Sequence, residues 1–396
     1  YVRHAVSAVA TVQKLPDQSI CGVTVEADHF PVLKQYWQHA GENASSRTAE
    51  LLLADRSAPT TETAARRTVR RRIADFQNCS ADDVRLFPSG MAAIAAAWRA
   101  VSETHPGRSC QFGFPYVDTL KIQQRFPGAH HEFLPLGDTA DLQQLDNLCA
   151  NGNVTSIFCE VPTNPLLKTP DVGRLRQIAD RRNVLLVIDD TLAACGNLQL
   201  LDSADILVTS LTKYFSGYGN VLAGSLVVNP HGRHAAELNA AIAADFEETL
   251  SDADTDVLFR NSADYESRTA RINDNALQLA DHLSQHSRVQ YVYHPSLDRP
   301  IYDSLRRRTN GYGGLLSIQL RDAPTATPSA FDRLNVCKGP NLGTNFTLCC
   351  PYTILAHYNE LDFAERCGVS RWLLRISVGT EDITDLISRF EHALSG

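Results

Sequence analysis

Short apolar runs alternate with amphipathic segments through the first half of the chain. The runs have the length of short buried strands and lie at 110–114, 132–136, 156–161, 184–188, 206–208 and 225–228. Segments with helical spacing lie among them, at 91–101, 118–126 and 174–182. Strands that alternate with helices in this way predict an α/β fold, in which helices cover both faces of a mostly parallel sheet.

The pattern changes beyond about Asn229. Long helices are predicted over 234–250 and 267–286, and we expect the second to link two domains. Strands of a smaller sheet are predicted at 288–293, 315–320 and 373–378, with helices at 330–335 and 383–394. The Pro- and Thr-rich stretch 321–328 is interpreted as a connector.

This pattern divides the chain into three parts. Residues 1–45 lack a sustained period over most of their length, and we expect an N-terminal arm that packs on a neighbouring subunit. Residues 46–255 are predicted to form the large domain, which starts with a helix over 48–77. Residues 256–396 are predicted to form a smaller C-terminal domain.

The segment Ser210-Leu211-Thr212-Lys213 follows one of the predicted strands. A lysine amine at this place can form an imine with an aldehyde cofactor, while the two hydroxyl groups donate to a phosphate. Such a lysine must lose its proton near neutral pH, and burial beside other cations lowers its pKa enough to allow this. The alternative is an ordinary solvated lysine at a strand end.

A second residue, Asp189, favours the interpretation that Lys213 binds an aldehyde cofactor. It ends another predicted strand, 24 positions before Lys213, and two parallel strands bring such residues to the same carboxyl edge, where open α/β sheets bind ligands. A carboxylate there can pair with a pyridinium nitrogen. A lysine and an acid in this arrangement are the usual contribution of a protein to pyridoxal phosphate chemistry.

Other polar residues also fall at predicted strand or helix ends. Ser89 and Gly90 precede a buried helix, whose free N–H groups would form an anion site, although a plain helix cap is the alternative. Tyr116 and Asn164 follow two further strands, so several side chains with chemical function are expected at one sheet edge.

Composition narrows the classes of function. The formal net charge of −8 argues against nucleic-acid binding. The arginine-rich segment 66–72 is interpreted as a solvated helix face or a subunit contact. No apolar stretch is long enough to cross a membrane, and we expect a cytoplasmic protein. Because the chain begins with Tyr1, we also expect that it starts inside a longer precursor.

The ten cysteines give no disulfide framework, and reduced thiols are expected. The vicinal pair Cys349-Cys350 lacks zinc-ligand spacing, so no metal site is predicted.

Together these motifs resemble the Cys/Met-metabolism family of pyridoxal phosphate enzymes, which includes cystathionine γ-synthase, cystathionine γ-lyase and the homoserine-ester sulfhydrylases. The resemblance extends from Ser46-Arg47 to the segment 377–382. Lys338-Gly339-Pro340 and the segment 344–347 are most similar to fungal cystathionine γ-synthase-like proteins. The resemblance implies the fold of type I pyridoxal phosphate enzymes, similar to aspartate aminotransferase, with a seven-stranded sheet in the large domain.

The resemblance also implies roles for individual residues. Lys213 would carry pyridoxal 5'-phosphate and move protons, Asp189 would keep the pyridine nitrogen protonated, and Tyr116 would stack on the ring. The phosphate would be bound by Gly90, Met91, Ser210 and Thr212. Structural alternatives remain for Tyr116, which could be ordinary core.

Further roles concern the substrate and the neighbouring subunit. Asn164 would lie near the phenolic oxygen of the cofactor, or would only shape an Asn-Pro turn. Arg375 would bind the substrate α-carboxylate, or would form an ion pair or an exposed strand end. Asn341 stands near the expected carboxylate position, where the family usually has serine. Arg47 would reach the phosphate of a neighbouring subunit, which implies a homodimer at least and, by resemblance, a tetramer.

The segments expected to line the substrate pocket depart from the family pattern. Ser45 stands where the family usually has a tyrosine, and Gly217-Tyr218-Gly219-Asn220-Val221 stands where it usually has Gly-His-Ser-Asp-Val.

The resemblance implies γ-replacement on an O-acylated homoserine, such as O-acetylhomoserine. The nucleophile would be a thiol or a carbon nucleophile, as in trans-sulfuration or a biosynthetic side pathway. Elimination from a sulfur amino acid is an alternative, and a non-catalytic cofactor-binding scaffold is a remote one.

Overall fold

The computed structural model describes residues 11–14, 20–126, 130–307 and 311–395. The strands form a hairpin, a seven-stranded sheet and a five-stranded sheet. In chain order they are β1 (Thr11–Lys14), β2 (Cys21–Thr24), β3 (Val84–Phe87), β4 (Ser109–Phe112), β5 (His131–Leu134), β6 (Ser156–Glu160), β7 (Leu185–Asp189), β8 (Ile206–Thr209), β9 (Gly224–Val228), β10 (Val289–Tyr293), β11 (Leu315–Leu320), β12 (Cys337–Lys338), β13 (Leu348–Pro351) and β14 (Leu374–Ser377).

Helices cover the sheets and connect their strands. They are α1 (Phe30–Ala40), α2 (Ser46–Leu53), α3 (Ala64–Gln77), α4 (Gly90–Thr104), α5 (Val117–Arg125), α6 (Thr139–Ala150), α7 (Val172–Arg182), α8 (Ala235–Asp245), α9 (Asp252–Asn261), α10 (Tyr265–Ser284), α11 (Arg299–Leu305), α12 (Ala323–Arg333), α13 (Tyr352–Ala356), α14 (Leu361–Arg366) and α15 (Ile383–Leu394). None of the helices in the described ranges is both long and apolar enough for a membrane span.

The seven-stranded sheet has the order β3-β9-β8-β7-β6-β4-β5. Strand β9 runs antiparallel to both of its neighbours, whereas β8, β7, β6, β4 and β5 are mutually parallel. The central strands are buried along their whole length, as expected for a parallel sheet with helices on both faces. The predicted mostly parallel seven-stranded sheet is confirmed, and so is the separate smaller sheet.

The smaller sheet has the order β10-β11-β14-β13-β12, and its inner face packs on α10, α12 and α15. The long helix α10 contributes to two cores. Ile272, in its first half, packs with the large-sheet core, and Leu279 and Leu283, in its second half, pack with the small-sheet core. The expectation that this helix links the two sheets agrees with its contacts. The domain boundaries given above stay a prediction.

Four element predictions were wrong. The segment 48–77 is two helices, because the chain leaves the helical conformation after Leu53, where Asp55 is left-handed, and Thr63 caps a new helix by accepting a hydrogen bond from Arg66 N. The helix predicted over 234–250 ends at Asp245, where the backbone of Phe246 becomes extended.

The other two errors concern segments interpreted as irregular. The stretch 321–328 lies mostly in α12, because Pro324 occupies the first turn, where a missing N–H costs little. Residues 30–40 of the predicted arm form helix α1, which packs on α4 and α5 of the same chain, and the expected contact of the arm with a neighbouring subunit stays a prediction. Residues 1–10 and 15–19 of the predicted arm lie outside the described residues.

The arginine-rich segment is not a solvated face throughout. Arg66 is 0% exposed and forms ion pairs with Glu248 at 2.8 Å and Asp252 at 3.0 Å. Its guanidinium also donates to the carbonyl oxygens of Thr61 and Leu250. This side chain therefore ties α3 to the segment between α8 and α9.

Replacing Arg66 with methionine is expected to lower the free energy of unfolding by about 3 kcal/mol, because Asp252 loses its counter-charge and Glu248 keeps only its ion pair with Arg70. Urea denaturation measures the change. The matched control is Arg71→Met on the exposed face of the same helix, with an expected change below about 0.5 kcal/mol. Equal effects of the two substitutions would contradict a structural role for the buried arginine.

Candidate active site

Lys213 lies in the turn that follows β8, at the carboxyl edge of the seven-stranded sheet. Its Nζ donates a hydrogen bond to Oδ1 of Asn341 at 2.8 Å. Burial, with the charge of Arg375 as a second cause, lowers the pKa of Lys213 to about 8. A substantial fraction of this amine is therefore neutral near physiological pH, as a nucleophilic lysine requires.

Asp189 ends β7, and its register partner on β6 is Glu160. Burial raises the pKa of Glu160 well above its ordinary value, and the charge of Asp189 raises it further. Burial also raises the pKa of Asp189, but hydrogen bonds from the N–H and the hydroxyl of Thr191 favour its ionised form. We therefore assign the negative charge of this pair to Asp189 and the proton to Glu160.

Tyr116 caps the start of α5, and its backbone N–H donates to Glu160 at 2.9 Å. The residue is 41% exposed, so part of its side chain is open to a ligand. Burial of the hydroxyl end and the neighbouring Asp118 raise the pKa of Tyr116, which keeps the phenol protonated. Tyr116 is thus not ordinary core.

The first turn of α4 and the turn after β8 meet at a glycine. A Cβ atom on Gly90 would lie 2.6 Å from Cβ of Ser210, so only glycine allows this approach. Ser89 caps the helix by accepting from Ala92 N at 3.0 Å, which leaves the N–H groups of Gly90 and Met91 at the open end. This is the expected geometry of an anion site at a helix N-terminus.

Among the predicted phosphate ligands, Thr212 is the one whose hydroxyl already makes two hydrogen bonds within the chain. Its hydroxyl accepts from Ala223 N at 3.0 Å and donates to Ala223 O at 3.3 Å. The donated bond is long, so the hydroxyl proton can turn to another acceptor. The side chain of Met91 packs against an apolar cluster, and only its backbone N–H is placed for an anion.

Arg375 lies in the middle of β14 and is 5% exposed. Its guanidinium donates to Oδ1 of Asn164 at 3.0 Å and to the carbonyl oxygen of Pro340, and it stands over the ring of Tyr352 at 4.8 Å. Among the described residues no carboxylate forms an ion pair with this side chain, although its charge acts on the nearby Glu160 carboxyl group. A buried cation of this kind is suited to an anionic ligand.

The contacts of Arg47 lie elsewhere in this chain. Its guanidinium donates to Asp254 at 3.1 Å and to the carbonyl oxygen of Asn220 at 2.7 Å. Ser45 donates to the same Asp254 carboxylate at 2.6 Å. The structure therefore brings together the other predicted residues and leaves Arg47 on α2, which agrees with a role at a neighbouring subunit without testing it.

Three residues of the site were not predicted. The hydroxyl of Thr191 accepts from Ser210 N at 2.8 Å and also contacts Asp189, so it joins two strand ends. Glu160 and Tyr352 complete the surroundings of Tyr116 and Arg375. Glu160 could have been found from its place at the end of a predicted strand.

These residues fit pyridoxal phosphate. The close approach of Gly90 to Ser210 brings the helix N-terminus and the turn after β8 together, as a phosphate site requires, and the partly neutral amine of Lys213 provides a nucleophile for an aldehyde. Asp189 supplies a carboxylate for a pyridinium nitrogen, and Tyr116 supplies a partly exposed aromatic ring.

Comparisons with known proteins agree with this fit. A cystathionine gamma-synthase of Neurospora crassa is 41% identical over 326 residues, which are 80% of this chain and 52% of that protein. A cystathionine gamma-synthase-like protein of Aspergillus thermomutatus is 40% identical over 317 residues, which are 79% of this chain and 56% of that protein. The chain thus spans about half the length of these curated relatives.

A solved structure shares the fold. It is described as an O-acetylhomoserine (thiol)-lyase of Campylobacter jejuni and contains a pyridoxyl-lysine phosphate. It is 20% identical, with a TM-score of 0.73, over 84% of this chain and 86% of that one. The profile of one protein family, described as Cys/Met metabolism PLP-dependent enzyme, matches residues 55–395. The chain therefore belongs to the Cys/Met metabolism family of enzymes, whose cofactor is pyridoxal 5'-phosphate.

Proposed function

We propose that the protein catalyses γ-replacement, in which a nucleophile displaces the acyl group of an O-acylated homoserine. The observation that carries this proposal is the half-buried Lys213, whose amine donates to Asn341 Oδ1 at 2.8 Å and lies close enough to the guanidinium of Arg375 for that charge to lower its pKa. One base must reach both Cα and Cβ of a substrate whose carboxylate is fixed. The 41% identity with a cystathionine gamma-synthase supports the same reaction class.

The cofactor, when bound, supplies an electron sink that acidifies the Cα–H bond of the amino acid. Nζ of Lys213 removes the Cα proton and then a Cβ proton. The ester oxygen leaves Cγ with its bonding electrons, as a carboxylate. The nucleophile forms the new bond to Cγ and loses its own proton, and Lys213 returns protons to Cβ and Cα.

Arg375 and its neighbours orient the substrate. Two N–H groups of the guanidinium can hold both oxygens of the α-carboxylate, while Asn164 and the ring of Tyr352 fix its plane. Asn341 holds Nζ of Lys213 at 2.8 Å and stands beside the expected carboxylate position. These contacts set the direction in which the lysine approaches Cα.

The remaining predicted residues hold the cofactor. Asp189 would pair with the pyridine nitrogen, and Tyr116 would stack on the ring. The phosphate would be bound by the backbone of Gly90 and Met91 and the hydroxyls of Ser210 and Thr212.

Arg47 would add a contact to the cofactor from a neighbouring subunit. A dimer would then be the minimal active unit, and a tetramer is the expected assembly. A monomer in sedimentation velocity would contradict this part.

We propose the identities of the acyl group and of the nucleophile from the chemistry of the reaction. O-acetylhomoserine is the expected first substrate. The second is a thiol such as cysteine, or a carbon nucleophile in a biosynthetic side pathway, because the residues at 45 and 217–221 differ from the usual family pattern.

The rate at which the protein binds pyridoxal phosphate covalently should rise with pH through about 8, because the amine of Lys213 reacts only when it is neutral. The Arg375→Gln variant is expected to move this midpoint to higher pH, since the neighbouring positive charge helps to lower the pKa. Stopped-flow absorbance on the cofactor-free protein measures both profiles. Identical midpoints for the two proteins would contradict this electrostatic coupling.

The decisive assay incubates the cofactor-loaded protein with O-acetylhomoserine, alone and with cysteine, sulfide or a panel of carbon nucleophiles. Mass spectrometry is expected to detect one new adduct that contains the homoserine carbon chain and the nucleophile. Production of only 2-oxobutanoate and ammonia under every condition would overturn γ-replacement in favour of elimination. No turnover of any substrate, with the cofactor bound, would favour the scaffold.

A further inference from the structure

A second group of polar side chains lies at the opposite end of α4 from Gly90. His105 follows the last residue of α4, and His234 and Glu237 lie at the start of α8. Because α4 has 15 residues, this group is about 22 Å from the candidate active site. The group therefore plays no part in the proposed reaction.

These three side chains face one another closely. One ligand atom of each lies within 4.8 Å of the other two, and this is the one such three-residue group of His, Cys, Asp or Glu within the described ranges. Nδ1 of His105 is 4.0 Å from Oε1 of Glu237, and Nδ1 of His234 contacts the same oxygen. The two imidazole rings are perpendicular, with centroids 4.8 Å apart.

His105 has an unsatisfied atom in this group. Its Nδ1 is buried, and no hydrogen-bond partner for it exists in the described structure. Its backbone is fixed, because the carbonyl oxygen accepts from Thr155 Oγ1 at 2.8 Å. A buried nitrogen without a partner costs free energy, and a bound cation at this point would remove that cost.

A local ion pair explains only part of the arrangement. His234 and Glu237 are three residues apart in the first turn of α8, where such pairs are common. That pair does not account for the third residue, which comes from a different helix and points its free nitrogen at the same carboxylate.

We propose that His105, His234 and Glu237 bind a divalent transition-metal ion, with Zn²⁺ as the best match. Two imidazole nitrogens and one carboxylate oxygen are a known donor set for zinc, with the fourth position left to water. Ligand atoms of a tetrahedral site lie about 3.3 Å apart for bonds of 2.0–2.1 Å. The exposed side chain of Glu237 can rotate about its own bonds to reach that spacing.

The charges near the site allow a cation. The last carbonyl groups of α4 carry partial negative charge, although the start of α8 opposes them. The carboxylate of Asp205 is close enough to act on His105, but Arg176 pairs with it at 2.9 Å. The neighbouring Arg233 is directed away, since its guanidinium donates to Asp180 O and Asn183 Oδ1. A bound ion would join the end of α4 to the start of α8.

The test is zinc binding to the cofactor-loaded protein, measured by equilibrium dialysis with metal analysis. One zinc per chain is expected, at the same stoichiometry with and without pyridoxal phosphate. Both His105→Asn and Glu237→Gln should weaken zinc affinity by about 100-fold. Loss of a residue that only orients a metal ligand already weakens metal binding by about 10- to 100-fold, and loss of the ligand itself should cost at least as much. The control His231→Asn replaces an exposed histidine nearby and should bind like the wild type.

A spectroscopic measurement on the unsubstituted protein covers the case in which a variant misfolds. Co²⁺ in place of zinc should give visible absorption typical of nitrogen and oxygen ligands, without the thiolate charge-transfer band that binding to cysteines would produce. Zinc affinity that is unchanged in Glu237→Gln, a thiolate band, or no zinc retained would each overturn the proposal.

Discussion

The Lys213→Ala variant is expected to lose at least about 10⁴-fold in turnover of O-acetylhomoserine, because the same amine carries the cofactor and moves every proton in the proposed reaction. The bound cofactor should also lose the visible absorbance that a link to lysine produces. Absorbance spectra and the mass-spectrometric assay measure the two effects on one sample.

The matched control is Lys168→Ala, which removes an exposed lysine four residues after Asn164. It should leave both the spectrum and the turnover within about twofold of the parent, as surface substitutions usually do. Retained turnover in Lys213→Ala would contradict the assignment of the lysine and, with it, the proposed mechanism.

The Asp189→Asn variant is expected to lower turnover by about 100-fold, because a neutral amide cannot hold a positive charge on the pyridine nitrogen. The affinity for pyridoxal phosphate should fall as well, since the ion pair is lost. Steady-state kinetics at saturating cofactor separates the two effects.

Glu160→Gln provides the comparison within the same carboxyl pair. Glu160 is assigned the proton, so an amide of nearly the same shape should cost less than about tenfold. A larger loss in Glu160→Gln than in Asp189→Asn would mean that the negative charge belongs to β6 and not to β7.

The seven-stranded sheet could be predicted from sequence because its strands are buried on both faces and therefore contain continuous apolar runs. The helix errors arose where local signals compete. The first helix of the segment 48–77 ends at Leu53, where Asp55 becomes left-handed without a proline or glycine to mark the end. Pro324 is compatible with a helix because it lies in the first turn.

The active site was predictable to the extent that strand ends could be found. Lys213, Asp189 and Asn164 each follow an apolar run, so their meeting at one sheet edge was expected. The contact of Arg375 with Asn164 joins residues 211 positions apart on two sheets, and no local pattern indicates it. The burial of Arg66 could not be predicted for the same reason, because its ion-pair partners lie far along the chain, after α8.

Helix α10 packs in the cores of both sheets. Lys213 belongs to one sheet and Arg375 to the other, so their spacing depends on a rigid rod with a fixed helical phase and not on a flexible tether. One residue inserted between Ile272 and Leu279 would turn everything beyond it by about 100° and move it by about 1.5 Å. Evolution can therefore vary the loops of this protein in length, whereas the number of residues in this one helix is constrained by the distance between Lys213 and Arg375.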